Sequence, residues 1–432
     1  MSLPSLALDA LRVLTLGALT VVQKSATGLI ELLEVEQKDQ ILEGLKQDSG
    51  IGLNPELAAS GPKATKDVVP TNLEVVASYN WTNSITPTII VPGLPRVWKG
   101  IKTPFFLSSN DKERIEYIDQ NRFRLPNFPL LPLVAAIDQI KPQFDFSSID
   151  IVTDRNNLQK LMKWIGKRVN PELDDFRIDI QVIGKTVLFV RYELRNTERG
   201  RRGKTFRKNF DEYLSQYPPG FECSTSNHRI IRYDYGGIQM LVRFKVDAFC
   251  PSDGETFGAK GNEDESLVDN ATLVAALRTI SCDDLNIISG GTLVPQSQII
   301  KLHTRHQWPA SLGLDWDKYY PQIFLSQTHR LLLGTHTQGR IRRIREYTSG
   351  DDIVHKQKGK QQHELDKLCV LLKAIRKEAI SFGDRACLSL VYRRETKMLE
   401  LFERYSSNAL PDEWMAKFEN PKGSSLFKEE TE

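Results

Sequence analysis

Strand-like runs that adjoin one another with no helix between them constrain this chain more than any other feature. Residues 230–235 and 238–248 form one such pair, and residues 178–183 and 187–193 form another. Further β-rich runs fall at 298–303, 330–336, 340–347 and 386–392. Helical periodicity marks residues 156–165, 206–216, 267–280 and 365–380, the last with Leu365, Leu368, Leu371, Leu372 and Ile375 on one face. A repeated strand–helix–strand array would separate every strand by a helix, so the pattern points to an α+β fold in one large domain. Residues 1–70 read as a helical extension and linker, 71–407 as the core domain, and 408–432 as a disordered polar tail.

The chain is 40% hydrophobic and 26% charged, ordinary for a soluble domain with a sizeable core. A net charge of +3 is too balanced to indicate nucleic acid by itself, because a phosphate backbone is recognised by local charge. Five dispersed cysteines without a CxxC pair fit a reducing compartment and give no zinc signature. No stretch approaches the roughly 18 apolar residues of a membrane span, so no membrane partner is expected. The expected compartment is the nucleus or the cytoplasm, with the mitochondrion left open. Walker-type, GxSxG and HExxH motifs are absent.

One constellation carries chemistry. The run at 238–248, IQMLVRFKVDA, is strand-like and ends near Asp247. Some fifty residues on, QIIKLHTR at 298–305 places Lys301, His303 and Arg305 two apart, on one face of a strand. Upstream, FRKNFDEYL at 206–214 reads as a helix bearing Asp211 and Glu212. Acids from a helix and a strand, beside a strand of polar residues, outline a two-metal phosphodiesterase site, since hard cations require several oxygen ligands.

The order of these motifs over residues 150–403 resembles the decapping exoribonuclease (DXO-like) family of RNA 5′-end enzymes. DRNNLQKL at 154–161 places Arg155 at that family's arginine. RKNFD at 207–211 places Asp211 at its helix glutamate. Lys245-Val246-Asp247 stands at its ExD motif and Lys301-Leu302-His303 at its ExK motif. FLSQTHRLLLG at 324–334 places Gln327 at its glutamine. The resemblance implies two mixed β-sheets packed together and flanked by helices. It also implies Mg2+ or Mn2+ at Asp211 and Asp247 if the protein is active, and an RNA 5′ end as partner.

The chain departs from the family where metal would bind, because two acids have become lysines. A protonated lysine has no lone pair to offer, and a unit charge about 4 Å from another like charge is repelled by about 4 kcal/mol at an effective dielectric near 20. The expectation is therefore an RNA 5′-end-binding protein with impaired or lost metal-dependent hydrolysis, possessing no cofactor in that case. The expected catalytic set is Arg155, Asp211, Asp247, Lys301, His303 and Gln327. RNA contacts are expected from Lys245, Arg201, Arg202, Lys204 and Arg305, the loop residues belonging to the basic run 195–208. A second basic run, 340–345, alternates Arg with Ile and could form a basic strand face. An active 5′-end hydrolase is the alternative. An isoprenyl diphosphate synthase is a remote one, because the pairs Asp174-Asp175, Asp283-Asp284 and Asp351-Asp352 lack the third acid of a DDxxD motif. No protein partner is legible.

Overall fold

Gly236 and Gly237, at φ 62 and 88, close a two-residue turn between strands Ser224–Tyr235 and Gln239–Val246. Positive φ at both central residues matches the right-handed twist of the flanking strands, and glycine meets it without steric cost. The structure is a computed structural model that describes residues 40–53, 67–108, 115–166, 173–199, 206–251, 277–280, 285–307, 314–405 and 408–419.

The hairpin sits inside a 12-stranded mixed sheet. Gln239–Val246 runs parallel to Ile151–Asp154, which runs parallel to Thr186–Arg191. On the far side, Pro70–Thr82 and Thr88–Gly93 extend the sheet. A second sheet of seven strands is centred on Ile299–His306, Arg330–Thr337 and Arg340–Thr348. Two mixed sheets with flanking helices are the architecture that the motif order implied.

Alternation sorts the side chains into layers. Tyr233, Met240, Val242 and Phe244 of the large sheet meet Ile299, Leu331 and Leu333 of the small one in a shared core. That core also takes the apolar faces of helices Arg155–Ile165, Trp316–Leu325 and Asp352–Ser381. The opposite face of the large sheet, with Tyr79, Trp81, Ile89 and Leu241, is covered by helix Leu131–Ile140. The outer face of the small sheet buries Ile300, Leu302 and Leu332 against Phe210 and Leu214 of helix Arg207–Leu214.

Five expectations change. The run 238–248 is not one strand: the chain leaves the large sheet at Val246 and enters the small one as Ala248–Phe249. The helix expected over 206–216 stops at Leu214, where Ser215–Gln216 pairs with Val97–Trp98. Of the helix expected over 267–280, residues 277–280 are instead strand Leu277–Ile280, held by pairing to Leu285–Gly291; the rest lies outside the described residues. The segment from Asn408, expected as a polar tail, forms helix Asp412–Glu419 over its described part. Trp414, Met415 and Phe418 of that helix are buried, an apolar face too short to show between flanking polar residues. Likewise, described residues 40–53 of the expected extension join the core domain. Ile41 and Leu45 pack on Val391 and Phe402, and the Arg177 guanidinium donates to the carbonyls of Ile41 and Glu43 at 3.2 and 2.7 Å. The remainder of the extension, and 420–432 of the tail, lie outside the described residues.

Candidate phosphate-binding cleft

Asp247 is the single residue between the two sheets, at the point where one strand crosses into the other. Pairing of Ala248 with Ile300 sets it beside the Ile299–His306 strand. Its Oδ2 accepts hydrogen bonds from the Leu302 amide at 3.0 Å and the Lys301 Nζ at 2.7 Å. Both side chains of that ion pair are largely buried, at 8% and 9% exposure. Ile300 and Leu302 point into the outer core, so Lys301, His303 and Arg305 occupy the other face of the strand.

Arg155 begins its helix directly after strand Ile151–Asp154. The strand end is fixed by Arg243, whose guanidinium donates to both carboxylate oxygens of Asp154 at 2.7 and 2.8 Å. This leaves the Arg155 guanidinium 5.6 Å from the Phe244 ring centroid. Helix Arg207–Leu214 docks through Phe210, whose ring fills the space that a Cβ at residue 334 would need; Gly334 therefore permits the close approach. Arg207 and Asp211 lie one helical turn apart, on neighbouring positions of the surface.

The charges in this cleft act on one another. Burial pushes the Asp247 carboxyl up, but Lys301 and Arg207 outweigh it and hold it down at about 2. Asp211 responds oppositely. Burial, reinforced by the Asp247 charge, lifts it to about 7 against the pull of Arg207, Lys301 and Lys245. Burial lowers the pKa of Lys301 and Lys245, opposed in both by Asp247. Burial lowers Arg155 to about 10, which leaves it protonated at neutral pH. Arg155, Arg207, Lys245 and Lys301 thus face two carboxylates, and basic groups outnumber acids here. Lys245 and Arg207 are crowded by protein yet reach solvent, whereas the Lys301–Asp247 pair beside them is buried.

Of the residues expected from sequence, Arg155, Asp211, Lys245, Asp247 and Lys301 meet here. His303 lies on the same face, but its imidazole packs against the Tyr319 hydroxyl, 3.0 Å from Nδ1. Burial together with Arg207 and Lys301 lowers it to about 3, so the ring is neutral. Arg305 is one further step along the face and half-buried. Gln327 follows the end of helix Trp316–Leu325 at φ 50, where its amide donates to the Phe324 carbonyl and its own carbonyl accepts from Gln296. Those bonds tie it to the loop. Arg201, Arg202 and Lys204 lie outside the described residues. Sequence reasoning placed Arg207 only in a basic run; its four-residue spacing from Asp211 was the available signal.

Two large mixed sheets packed together and flanked by helices are the fold of the Rai1 decapping exoribonucleases. Schizosaccharomyces pombe (S. pombe) Rai1 in complex with 3′-FADP superposes with a TM-score of 0.51 at 12% identity, covering 82% of this chain and 98% of that one. Scheffersomyces stipitis Rai1 with (3′-NADP)+ and calcium ion gives 0.54 at 10% identity, covering 85% and 99%. Candida albicans Rai1 with pU5-Mn2+ gives 0.53 at 10% identity, covering 86% and 100%. No curated protein matches the sequence. The chain itself belongs to the family described as a domain of unknown function, DUF8563, whose model matches residues 62–418.

The residues of the cleft do not fit a two-metal centre. Among the described residues no group of three or more His, Cys, Asp or Glu could hold a metal ion. Of the two carboxylates, Asp247 is committed to Lys301 and the Leu302 amide, and Asp211 is half-protonated near pH 7. Four nearby cations add a repulsion that a divalent ion would have to overcome.

Proposed function

We propose that this protein binds the phosphorylated 5′ end of RNA in the cation-lined cleft and has lost metal-dependent hydrolysis. The carrying observation is the Lys301–Asp247 ion pair, which puts an ammonium group on the acid that the family resemblance assigns to metal. Lys245, Arg207 and Arg155 are donors suited to phosphate oxygens, the arginines through a planar fork. Asp211, when protonated, would add an O–H donor. The bound pU5 in the Candida albicans relative supports RNA as the ligand class. The proposed setting is the nucleus or the cytoplasm, with the mitochondrion left open. Among the described residues no helix is long and apolar enough to cross a membrane.

A second reading, an active 5′-end hydrolase, rests on one atom: Asp211 Oδ1 is buried with no hydrogen-bond partner among the described residues. The manganese and calcium in the Rai1 relatives are what such a reading would draw on. The diphosphate-synthase alternative needs facing acids on helices. Asp174 and Asp175 instead precede strand Phe176–Ile183, and Asp351 immediately precedes helix Asp352–Ser381, its carboxylate accepting from the Thr348 amide; the Asp283 pair lies outside the described residues.

The test is binding and turnover of RNAs bearing a 5′ monophosphate, triphosphate, NAD or unmethylated cap, in manganese and in chelator. The wild type is compared with Lys245→Glu/Lys301→Glu/His303→Lys. Chelator-resistant binding without turnover is expected of the wild type; manganese-dependent cutting by it would overturn the reading.

A further inference from the structure

The small sheet carries its basic residues well beyond the cleft. Strand Ile299–His306 pairs with Arg330–Thr337, which pairs with Arg340–Thr348, and the two registers align three rows. Lys301 lies level with Leu331 and Tyr347, His303 with Leu333 and Arg345, and Arg305 with Thr335 and Arg343. Paired residues share a face of a sheet. The face that holds Lys301 at the cleft therefore holds Arg343 and Arg345 two strands away. From Lys301 to Arg305 is about 13 Å along the strand, and from Arg305 across to Arg343 about 10 Å.

The two ends of this path differ. At the cleft end, helix Trp316–Leu325 covers the face, with Tyr319 against His303 and Trp316 edge-on to Tyr347 at 5.2 Å. At the outer end, Arg343 and Arg345 are exposed and have no ion-pair partner among the described residues. Arg345 stays over the Tyr347 ring, 4.6 Å from its centroid. Among the described residues, strand Arg340–Thr348 pairs outward at Arg340 and Ile341, with Phe105–Phe106.

We infer that single-stranded RNA held by its 5′ phosphate in the cleft continues to the uncovered outer end of this face, with its following phosphates on Arg343 and Arg345. The inference rests on the 5′-end reading proposed above and extends it to the body of the ligand. An acidic peptide added as a further strand fits less well. A register shift at Thr335/His336 marks a bulge beside this edge, and bulges disrupt the regular ladder that strand addition requires. A backbone spanning tens of ångströms with a charge at every residue matches spaced arginines, as in other single-strand tracks.

The test is fluorescence anisotropy with 5′-monophosphorylated oligouridylates of two and ten nucleotides, in chelator, over a range of salt. Wild type is compared with Arg343→Gln/Arg345→Gln, both exposed positions, with thermal unfolding as the check on folding. Wild type should bind the ten-mer at least 10-fold more tightly than the two-mer. The double variant should bind the two-mer as wild type does, lose most of that gain, and show a ten-mer salt slope shallower by about 1.4, from about 0.7 per phosphate contact. Retention of both the gain and the slope would overturn the track while leaving the 5′-end reading standing. So would competition by an acidic peptide with no length gain for RNA. Failure of wild type to bind either length would remove the 5′-end reading and the track with it.

Discussion

Replacing Asp211 by asparagine removes an acid that the fold holds near neutrality. In the folded protein burial and Asp247 lift its pKa from an ordinary 3.8 to about 7, whereas in the unfolded chain it returns to the ordinary value. A carboxyl raised on folding stabilises the native state while it is protonated. That contribution is complete below about pH 4 and is lost as pH rises to about 7, at about 1.4 kcal/mol per pH unit. Over the whole window the loss reaches about 4 kcal/mol, and water in the open cleft reduces it, so about 2–4 kcal/mol is expected. Asp247, held down at about 2, changes stability in the opposite sense, and only between about pH 2 and 4, outside this window. Asp211→Asn should therefore exceed wild-type stability by about 1 kcal/mol at pH 5 and by about 2–4 kcal/mol at pH 8. Urea unfolding of both proteins at pH 5, 6, 7 and 8 measures the difference directly. A difference that does not vary with pH would show that Asp211 titrates normally and that the account of the cleft's electrostatics is wrong.

Three other outcomes follow from the same contacts. Lys301→Met leaves the Asp247 carboxylate buried without its cation and should cost about 3–5 kcal/mol in denaturant unfolding, most of it recovered in the Asp247→Asn/Lys301→Met double variant. Gly334→Ala drives a Cβ into the Phe210 ring and should lower thermal stability by about 1–3 kcal/mol while loosening helix Arg207–Leu214, seen as faster amide exchange there. Trp414→Ala should cost about 3 kcal/mol or more, since its side chain is 7% exposed in the core; a change near zero would return helix Asp412–Glu419 to the status of a tail.

The run of adjoining strands was enough to exclude a repeated strand–helix array, because a period of two cannot be read as a helix. The amphipathic faces of residues 156–165 and 365–380 were equally legible, since Leu158, Leu161, Leu365 and Leu372 recur at helical spacing and are all buried. Asp247 and Lys301 could be singled out from polar residues at strand ends, and Lys245 from the family resemblance, at whose ExD motif it stands. Their relations could not. Only the crossing of the chain from Val246 in one sheet to Ala248 in the other brings Asp247 onto Lys301, some fifty residues later in sequence. Only the docking of Phe210 on Gly334 brings Asp211 close enough to feel Asp247 and acquire a raised pKa. The helix from Asp412 was missed because its apolar face spans just over one turn, and the strand from Leu277 because pairing with Leu285–Gly291 overrides local preference. Local patterning fixes what each segment can bury. Which charges end up within a few ångströms of each other depends on long-range strand pairing, and the chemistry of this cleft is decided there.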